Sequence, residues 1–172
     1  MESQQIHSSL TGYAGGTHYA TQGGASDYLC MPQDPQWGKY NDAADNSGGE
    51  VWGAEYELGT DIPYNRARLH NQNVPCAVCR AKTRATTLMI PGRQDCYCGW
   101  TKEYSGYLMT EYKGHQRRQY ACMDADPEVL EGGSVHENQN GALFYPVEAR
   151  CGSLPCPPYG NGRELTCVVC SK

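Results

Sequence analysis

Two stretches of this chain are dense in oxygen donors of the kind that hold a hard cation. One is His136-Glu137-Asn138-Gln139-Asn140-Gly141, with Asp124, Asp126 and Glu128 on the preceding turn. The other is Asn41-Asp42-Ala43-Ala44-Asp45-Asn46-Ser47-Gly48-Gly49-Glu50. Calcium takes roughly six to eight oxygens from carboxylates, Asn and Gln carbonyls and water. Glu137, Asn138 and Asn140 are therefore the first expected Ca2+ ligands, with Asp124, Asp126 and Glu128 next. Open coordination positions on such an ion would take vicinal sugar hydroxyls. Neither loop has the EF-hand spacing, and Asp, Asn and Gly are also the ordinary residues of turns.

Sugar recognition needs an aromatic face under the apolar side of a pyranose and polar groups for its hydroxyls. Tyr and Trp serve both needs. Trp37, Trp52, Tyr64, Trp100, Tyr104, Tyr112 and Tyr159 qualify by type. One Phe stands against 13 Tyr and 3 Trp, so many of these rings must also fill the interior. Trp52, on a strand-like run, is expected in the core. Trp100 and Tyr104, beside a Cys-rich segment, are the expected stacking residues, with His136 and Gln139 as polar neighbours.

Catalysis has no comparable signal. His7, His18, His70, His115 and His136 sit in no nucleophile elbow or HExxH motif. The Gly-rich stretch 12–24 lacks the Gly-Lys-Ser/Thr of a phosphate loop. Paired carboxylates such as Glu55/Glu57 and Asp124/Asp126 are unremarkable among 19 acids. A binding protein, not an enzyme, is expected.

Ten cysteines then set the compartment. Two CxxC pairs, Cys76/Cys79 and Cys167/Cys170, would suit zinc in isolation. Cys30, Cys96, Cys98, Cys122, Cys151 and Cys156 are scattered as bridges are, and both CxxC pairs lie in apolar, Val-containing runs that read as strands. A thioredoxin-type motif would instead open a helix. Disulfides and a secreted location follow. The polar Met1-Glu2-Ser3-Gln4-Gln5 has no apolar signal core, so a mature chain without its export signal is expected.

The elements that must position these residues are organised as a duplication. Tyr28-Leu29-Cys30-Met31-Pro32-Gln33-Asp34-Pro35 returns as Tyr120-Ala121-Cys122-Met123-Asp124-Ala125-Asp126-Pro127, an offset of 92. The same offset relates Asp45-Asn46 to Glu137-Asn138 and Gly49 to Gly141, while the CxxC pairs are 91 apart. We read two repeats, approximately 12–84 and 106–172, within one domain spanning 1–172. Each repeat holds a strand carrying Cys30 or Cys122, an Asp-Pro turn, a polar loop, an aromatic strand and a closing CxxC strand. The simplest pairing joins Cys30 and Cys122 each to a member of its own CxxC; the remaining pairings stay open. Strand-like runs fall at 49–58, 74–80, 86–90, 104–109, 142–149 and 165–170, and 65–70 is the best short helix. The fold class is a mostly β (β-rich α+β) single domain with pseudo-twofold duplication, stapled by disulfides.

Composition bounds the partners. A net charge of −5 gives no positive face for phosphates, so nucleic acid is excluded. No apolar run approaches the roughly 20 residues of a membrane span.

Longer motifs carry a specific resemblance. Gly15-Gly16-Thr17-His18-Tyr19, Asp27-Tyr28-Leu29-Cys30, Asp34-Pro35-Gln36-Trp37-Gly38-Lys39-Tyr40, Val74-Pro75-Cys76-Ala77-Val78-Cys79-Arg80, Leu88-Met89-Ile90-Pro91-Gly92 and Val147 through Tyr159 resemble the globular domain of invertebrate short-chain-collagen-like proteins. So does Asn161-Gly162-Arg163-Glu164-Leu165-Thr166-Cys167-Val168-Val169-Cys170. That group includes a galactose-specific, calcium-dependent sea-anemone lectin that forms a disulfide-linked dimer. The resemblance implies a secreted, calcium-dependent lectin for galactose-containing, lactose-like glycans, agglutinating as a homodimer. It assigns no ligand to individual side chains. The collagenous segment of longer relatives is absent, and no cysteine precedes Cys30. Cys98, in Cys96-Tyr97-Cys98-Gly99-Trp100, looks like an addition, so Cys98, or else Cys96, is the expected intersubunit bridge. The alternative class is an extracellular-matrix interaction module with structural calcium or none.

Overall fold

The computed structural model describes residues 7–40, 48–59, 66–130 and 138–172. Among the described residues nine strands form one sheet: β1 (His7–Gly16), β2 (Leu29–Pro32), β3 (Trp52–Tyr56), β4 (Pro75–Arg80), β5 (Thr87–Pro91), β6 (Thr101–Thr110), β7 (Ala121–Asp124), β8 (Ala142–Pro146) and β9 (Thr166–Ser171). One helical turn, α1 (Arg66–Leu69), lies where a short helix is expected. The domain is mostly β and disulfide-stapled, and each half repeats the same wiring. β1 pairs antiparallel with β2, β3 and β4. β6 pairs antiparallel with β7, β8 and β9. The halves meet at β3 and β8, which run parallel with Ala54 opposite Ala142 and Tyr56 opposite Phe144. Two equivalent strands running parallel are what a twofold axis along the strands produces. β5 stands outside the duplication and pairs with β9.

The hub of each half is its first strand. In the first half that strand runs into a Gly-rich stretch, and sequence patterning does not mark it as a strand. Gly12 faces both Pro32 and Cys76, and Gly106 faces both Asp124 and Cys167. In a flat sheet the strands on either side of a hub would be about 9.6 Å apart, twice the interstrand spacing. Here Cys30 and Cys76 have Cα atoms 5.6 Å apart and form a disulfide, as do Cys122 and Cys167 at 5.7 Å. The flanking strands therefore curl together over the hub. A Cβ on Gly12 would stand 1.8 Å from the Met31 carbonyl oxygen, and one on Gly106 would stand 1.9 Å from that of Met123. Only glycine leaves room for this closure. The register irregularity is duplicated too, between Ser8 and Leu10 in β1 and between Lys102 and Tyr104 in β6.

The core lies where the halves join. Ala14, Ala54, Tyr56, Leu58, Leu69, Val74, Met109, Met123, Ala142 and Phe144 are buried together. Phe144 is central, with the Tyr28 ring 4.3 Å and the Tyr56 ring 6.2 Å away. The hydroxyls are satisfied at the core edge: Tyr28 donates to the Leu143 carbonyl at 2.8 Å and Tyr56 to that of Glu128 at 3.0 Å. Burial pushes both phenols well above their ordinary pKa, so both remain donors.

Each of Cys30 and Cys122 bonds the first member of its own CxxC, as the simplest pairing requires. Cys96–Cys170 and Cys151–Cys156 complete four disulfides. Cys76, Cys167 and Cys170 are thus oxidised partners, not zinc thiolates. Cys79 and Cys98 are free and exposed. Cys96 is bonded within the chain, which corrects its candidacy as an intersubunit bridge and leaves Cys98. No helix among the described residues is long and apolar enough to cross a membrane.

Candidate carbohydrate site

The site forms where the two hub strands end against the β3–β8 junction. Gly16, the last residue of β1, pairs with Trp52 at the start of β3. Thr110, the last of β6, pairs with Tyr145 of β8. Both hubs then enter tight turns, closed by Thr21 N–H to the His18 carbonyl at 3.0 Å and by His115 N–H to the Tyr112 carbonyl at 2.9 Å. Gln116 N–H donates to the Tyr19 carbonyl at 3.1 Å and ties the turns together.

This juxtaposition builds a continuous aromatic row. Trp52 lies 4.8 Å from His18, His18 4.5 Å from Tyr19, Tyr19 4.4 Å from His115, and His115 5.2 Å from Tyr112. Tyr145 stands 5.4 Å from Tyr112. Trp52, expected in the core, is instead 40% exposed, and Tyr112 is 45% exposed. The indole N–H of Trp52 donates to Glu50 Oε2 at 2.7 Å, which fixes the ring edge. Burial and the nearby charges of Glu57 and Glu111 push the Tyr145 phenol up to about 12. It therefore stays protonated as a hydrogen-bond donor beside the row.

The Asn-containing loop flanks the same place. Asn138 and Asn140 have φ of 46° and 55°, a left-handed conformation that Asn tolerates better than most residues. Asn140 Nδ2 donates to the Asn138 carbonyl at 3.0 Å. Glu55, 2% exposed, accepts Gln139 N–H at 2.9 Å on one oxygen and Asn140 N–H at 3.2 Å on the other. Gly141 accepts from Tyr19 N–H at 2.9 Å. A Cβ on Gly141 would meet the Gly53 carbonyl oxygen at 2.2 Å and Trp52 Cβ at 2.9 Å, so the loop rests directly on the Trp52 strand. A second buried carboxylate, Glu111, accepts Leu143 N–H at 3.1 Å and Tyr112 N–H at 3.1 Å, with His115 at 2.9 Å. Two buried acids thus hold the approach to β8.

Replacing Glu55 with Gln would leave one of these half-buried backbone N–H groups facing an amide NH2. The expected cost is about 1 kcal/mol, the order for losing a half-buried hydrogen bond to a carboxylate. Urea unfolding of Glu55→Gln checks this, and a midpoint equal to the parent's would refute the clamp.

The expected cation ligands are divided by the structure. Asn138 and Asn140, with Gln139, lie on Glu55. Glu137 and His136 lie outside the described residues, as does 41–47 of the other acidic loop and Tyr64. Asp124, Asp126 and Glu128 lie elsewhere: Asp124 Oδ1 accepts Asp126 N–H at 2.9 Å, Asp126 is 4.0 Å from Arg68, and the Glu128 carbonyl holds the Tyr56 hydroxyl. Glu55 and Tyr56 are adjacent on one strand, so their side chains leave opposite faces. Asn138 and Asn140 therefore lie together on the loop held by Glu55, and the contacts of Asp124, Asp126 and Glu128 are made with other partners. Among the described residues no group of three or more His, Cys, Asp or Glu side chains could hold a metal.

The expected stacking residues also lie away from the loop. Trp100 precedes β6, at the opposite end of that strand from Thr110. Tyr104 is mostly buried, its hydroxyl donating to the Cys122 carbonyl at 3.0 Å and its phenol raised first by burial. Trp37 is 77% exposed, and Tyr159 lies over Gly92. Sequence reading missed His18, Tyr19, His115 and Tyr145 as site residues.

No protein-family model matches the chain, and no solved structure matches it.

Proposed function

We propose that this chain is a secreted lectin that binds terminal β-galactosides on the Trp52 face. The observation that supports this reading most is the half-exposed aromatic row beside the Asn138–Asn140 loop. A pyranose has an apolar face that suits an indole and equatorial and axial hydroxyls that suit amide and carboxylate groups. Trp52 would carry the ring. Asn138, Asn140 and Glu50 would offer donors and acceptors beside that face, and Tyr145 would offer its hydroxyl at the far end of the row. Binding and orientation, with no bond broken, account for every group in the site.

Calcium belongs to the proposal as the resemblance implies it. Glu137, Asn138 and Asn140 are the side chains that would hold it, and it would supply coordination positions for vicinal hydroxyls. The test is inhibition of agglutination, or of binding to a glycan array, by monosaccharides. Galactose and lactose should inhibit, and mannose and glucose should not. Inhibition by all four alike, or by none, contradicts the reading.

Agglutination needs two sites on one particle, and a covalent dimer would provide them. Cys98 is the proposed bridge. On a non-reducing gel Cys98→Ser is expected to run as a monomer and Cys79→Ser as a dimer. The reverse pattern would transfer the bridge to Cys79.

The matrix-module alternative has its own support. Tyr13, Leu29 and Met31 are 44%, 47% and 37% exposed on β1 and β2, an apolar surface that a protein partner could cover.

A further inference from the structure

The aromatic row has a second end, built as the first is. Gly16, the last residue of β1, pairs with Trp52, and Thr110, the last of β6, pairs with Tyr145. His18 opens the turn after β1, which Thr21 N–H closes at 3.0 Å, and Tyr112 opens the turn after β6, which His115 N–H closes at 2.9 Å. One offset, 94 residues, relates His18 to Tyr112 and Thr21 to His115. The ring that opens each turn lies against the ring of the paired strand residue: His18 is 4.8 Å from Trp52, and Tyr112 is 5.4 Å from Tyr145. We infer that Tyr112, His115 and Tyr145 form a second sugar position, which takes the apolar face of a neutral β-galactoside on the Tyr112 ring. The inference rests on the lectin reading for the ligand and on the duplicated geometry for the place.

Tyr112 carries the argument. It is 45% exposed, slightly more than Trp52 at the other end. Its neighbours are half-buried and meet it and each other: His115 is 5.2 Å from Tyr112 and 6.1 Å from Tyr145. The group is also held from below. Glu111, almost fully buried, accepts the Tyr112 N–H at 3.1 Å and holds His115 Nδ1 at 2.9 Å on the same oxygen. A Cβ on Gly114 would stand 2.9 Å from Tyr112 Cε1, so glycine lets the ring lie back over its own turn. A ring that is fixed before the ligand arrives loses little freedom when a sugar stacks on it. The Tyr145 phenol, protonated at neutral pH, adds a hydroxyl for a sugar oxygen. An apolar face with a polar tip beside it is what a pyranose requires.

Strand geometry separates the two positions. Ala54 stands opposite Ala142 in the parallel β3–β8 ladder, which puts Asn140 level with Trp52. Tyr145 lies further along β8 by about 17 Å, the rise of the intervening residues in an extended strand. One sugar ring cannot cover both ends, so each end serves its own. The contact that joins them, Tyr19 to His115 at 4.4 Å, lies between the two turns. A chain with a sugar position at each end is bivalent by itself, and a covalent dimer doubles that valence.

The test is an NMR titration of the isotope-labelled chain with lactose, calcium present. The Trp52 indole N–H reports the first position, and the backbone N–H groups of Gly114 and His115 report the second. Both sets are expected to shift, with separate binding curves. The second should be about fivefold weaker, because a phenol offers less face than an indole. In Trp52→Ala the Gly114 and His115 shifts should persist. Tyr112→Ala should abolish them, and Tyr112→Phe, which keeps the ring face, should retain them. If only the Trp52 indole responds, the second position is overturned while the lectin reading stands. The same holds if the Gly114 and His115 shifts disappear in Trp52→Ala or survive Tyr112→Ala. If only the second set responds, that position stands and the assignment of sugar to the Trp52 face falls. No response from either set ends both.

Discussion

Trp52→Ala is expected to weaken lactose binding about 30-fold, close to 2 kcal/mol, with little change in stability. The magnitude is that of a central aromatic anchor in a binding site. Stability should hold because the indole is 40% exposed and its loss opens no sealed cavity. The backbone pairing of Trp52 with Gly16 and the close contact of its Cβ with the Gly141 position both survive in alanine. Calorimetric titration with lactose, alongside a thermal melt, separates the two effects. A loss of less than threefold would place the sugar away from this face. Trp100→Ala is the matched comparison, since that ring lies before β6 and far from the Asn loop.

The second large effect is on folding. Removing the Cys122–Cys167 bridge with Cys122→Ala/Cys167→Ala is expected to cost about 4 kcal/mol. The bridge closes a loop with a sequence separation of 45, and chain-entropy arguments give that figure for a loop of this size. For a chain of this length it corresponds to a fall in Tm of roughly 10 °C. The Cys151–Cys156 bridge spans a separation of only 5 and should cost about half as much. Two further features put the first bridge ahead of the second. Cys167 is fully buried, and the bridge draws β7 and β9 together over Gly106. Scanning calorimetry of the two double variants gives the comparison. Equal losses would mean that closure over the hub strand does not depend on the disulfide.

How far these features can be read from residues depends on whether they are local. Strand runs at 74–80, 86–90 and 165–170 are legible because Val, Ile, Thr and Cys cluster between turn residues, and β4, β5 and β9 form there. The short helix at 65–70 appears as α1. Cys30 and Cys122 find the first cysteine of their own CxxC because the duplicated spacing makes the two halves check each other. β1 was illegible: a hub strand crossed by two closely approaching neighbours needs Gly12, Gly15 and Gly16, and such a sequence reads as a loop. Its signal was the return of Gly12-Tyr13 as Gly106-Tyr107.

The site divides the same way. The Asn138–Asn140 loop is recognisable because left-handed backbone and polar side chains select Asn over a few adjacent positions. The aromatic row is not, since Trp52, His18, Tyr19, His115, Tyr112 and Tyr145 come from separate segments that only the β3–β8 junction brings together. Trp52 reads as core by pattern, yet it begins its strand at the rim, where one face stays open. Glu111, distant in sequence from Leu143, gains its meaning only from burial beside it.

The most direct test of the central claim is a titration of the purified chain with lactose, first with calcium, then with excess chelator, then with calcium restored. The account predicts saturable binding with calcium, its loss on chelation and its return. Absence of lactose binding in every condition would contradict the lectin reading, and binding that persists through chelation would contradict the role given to calcium at Glu137, Asn138 and Asn140.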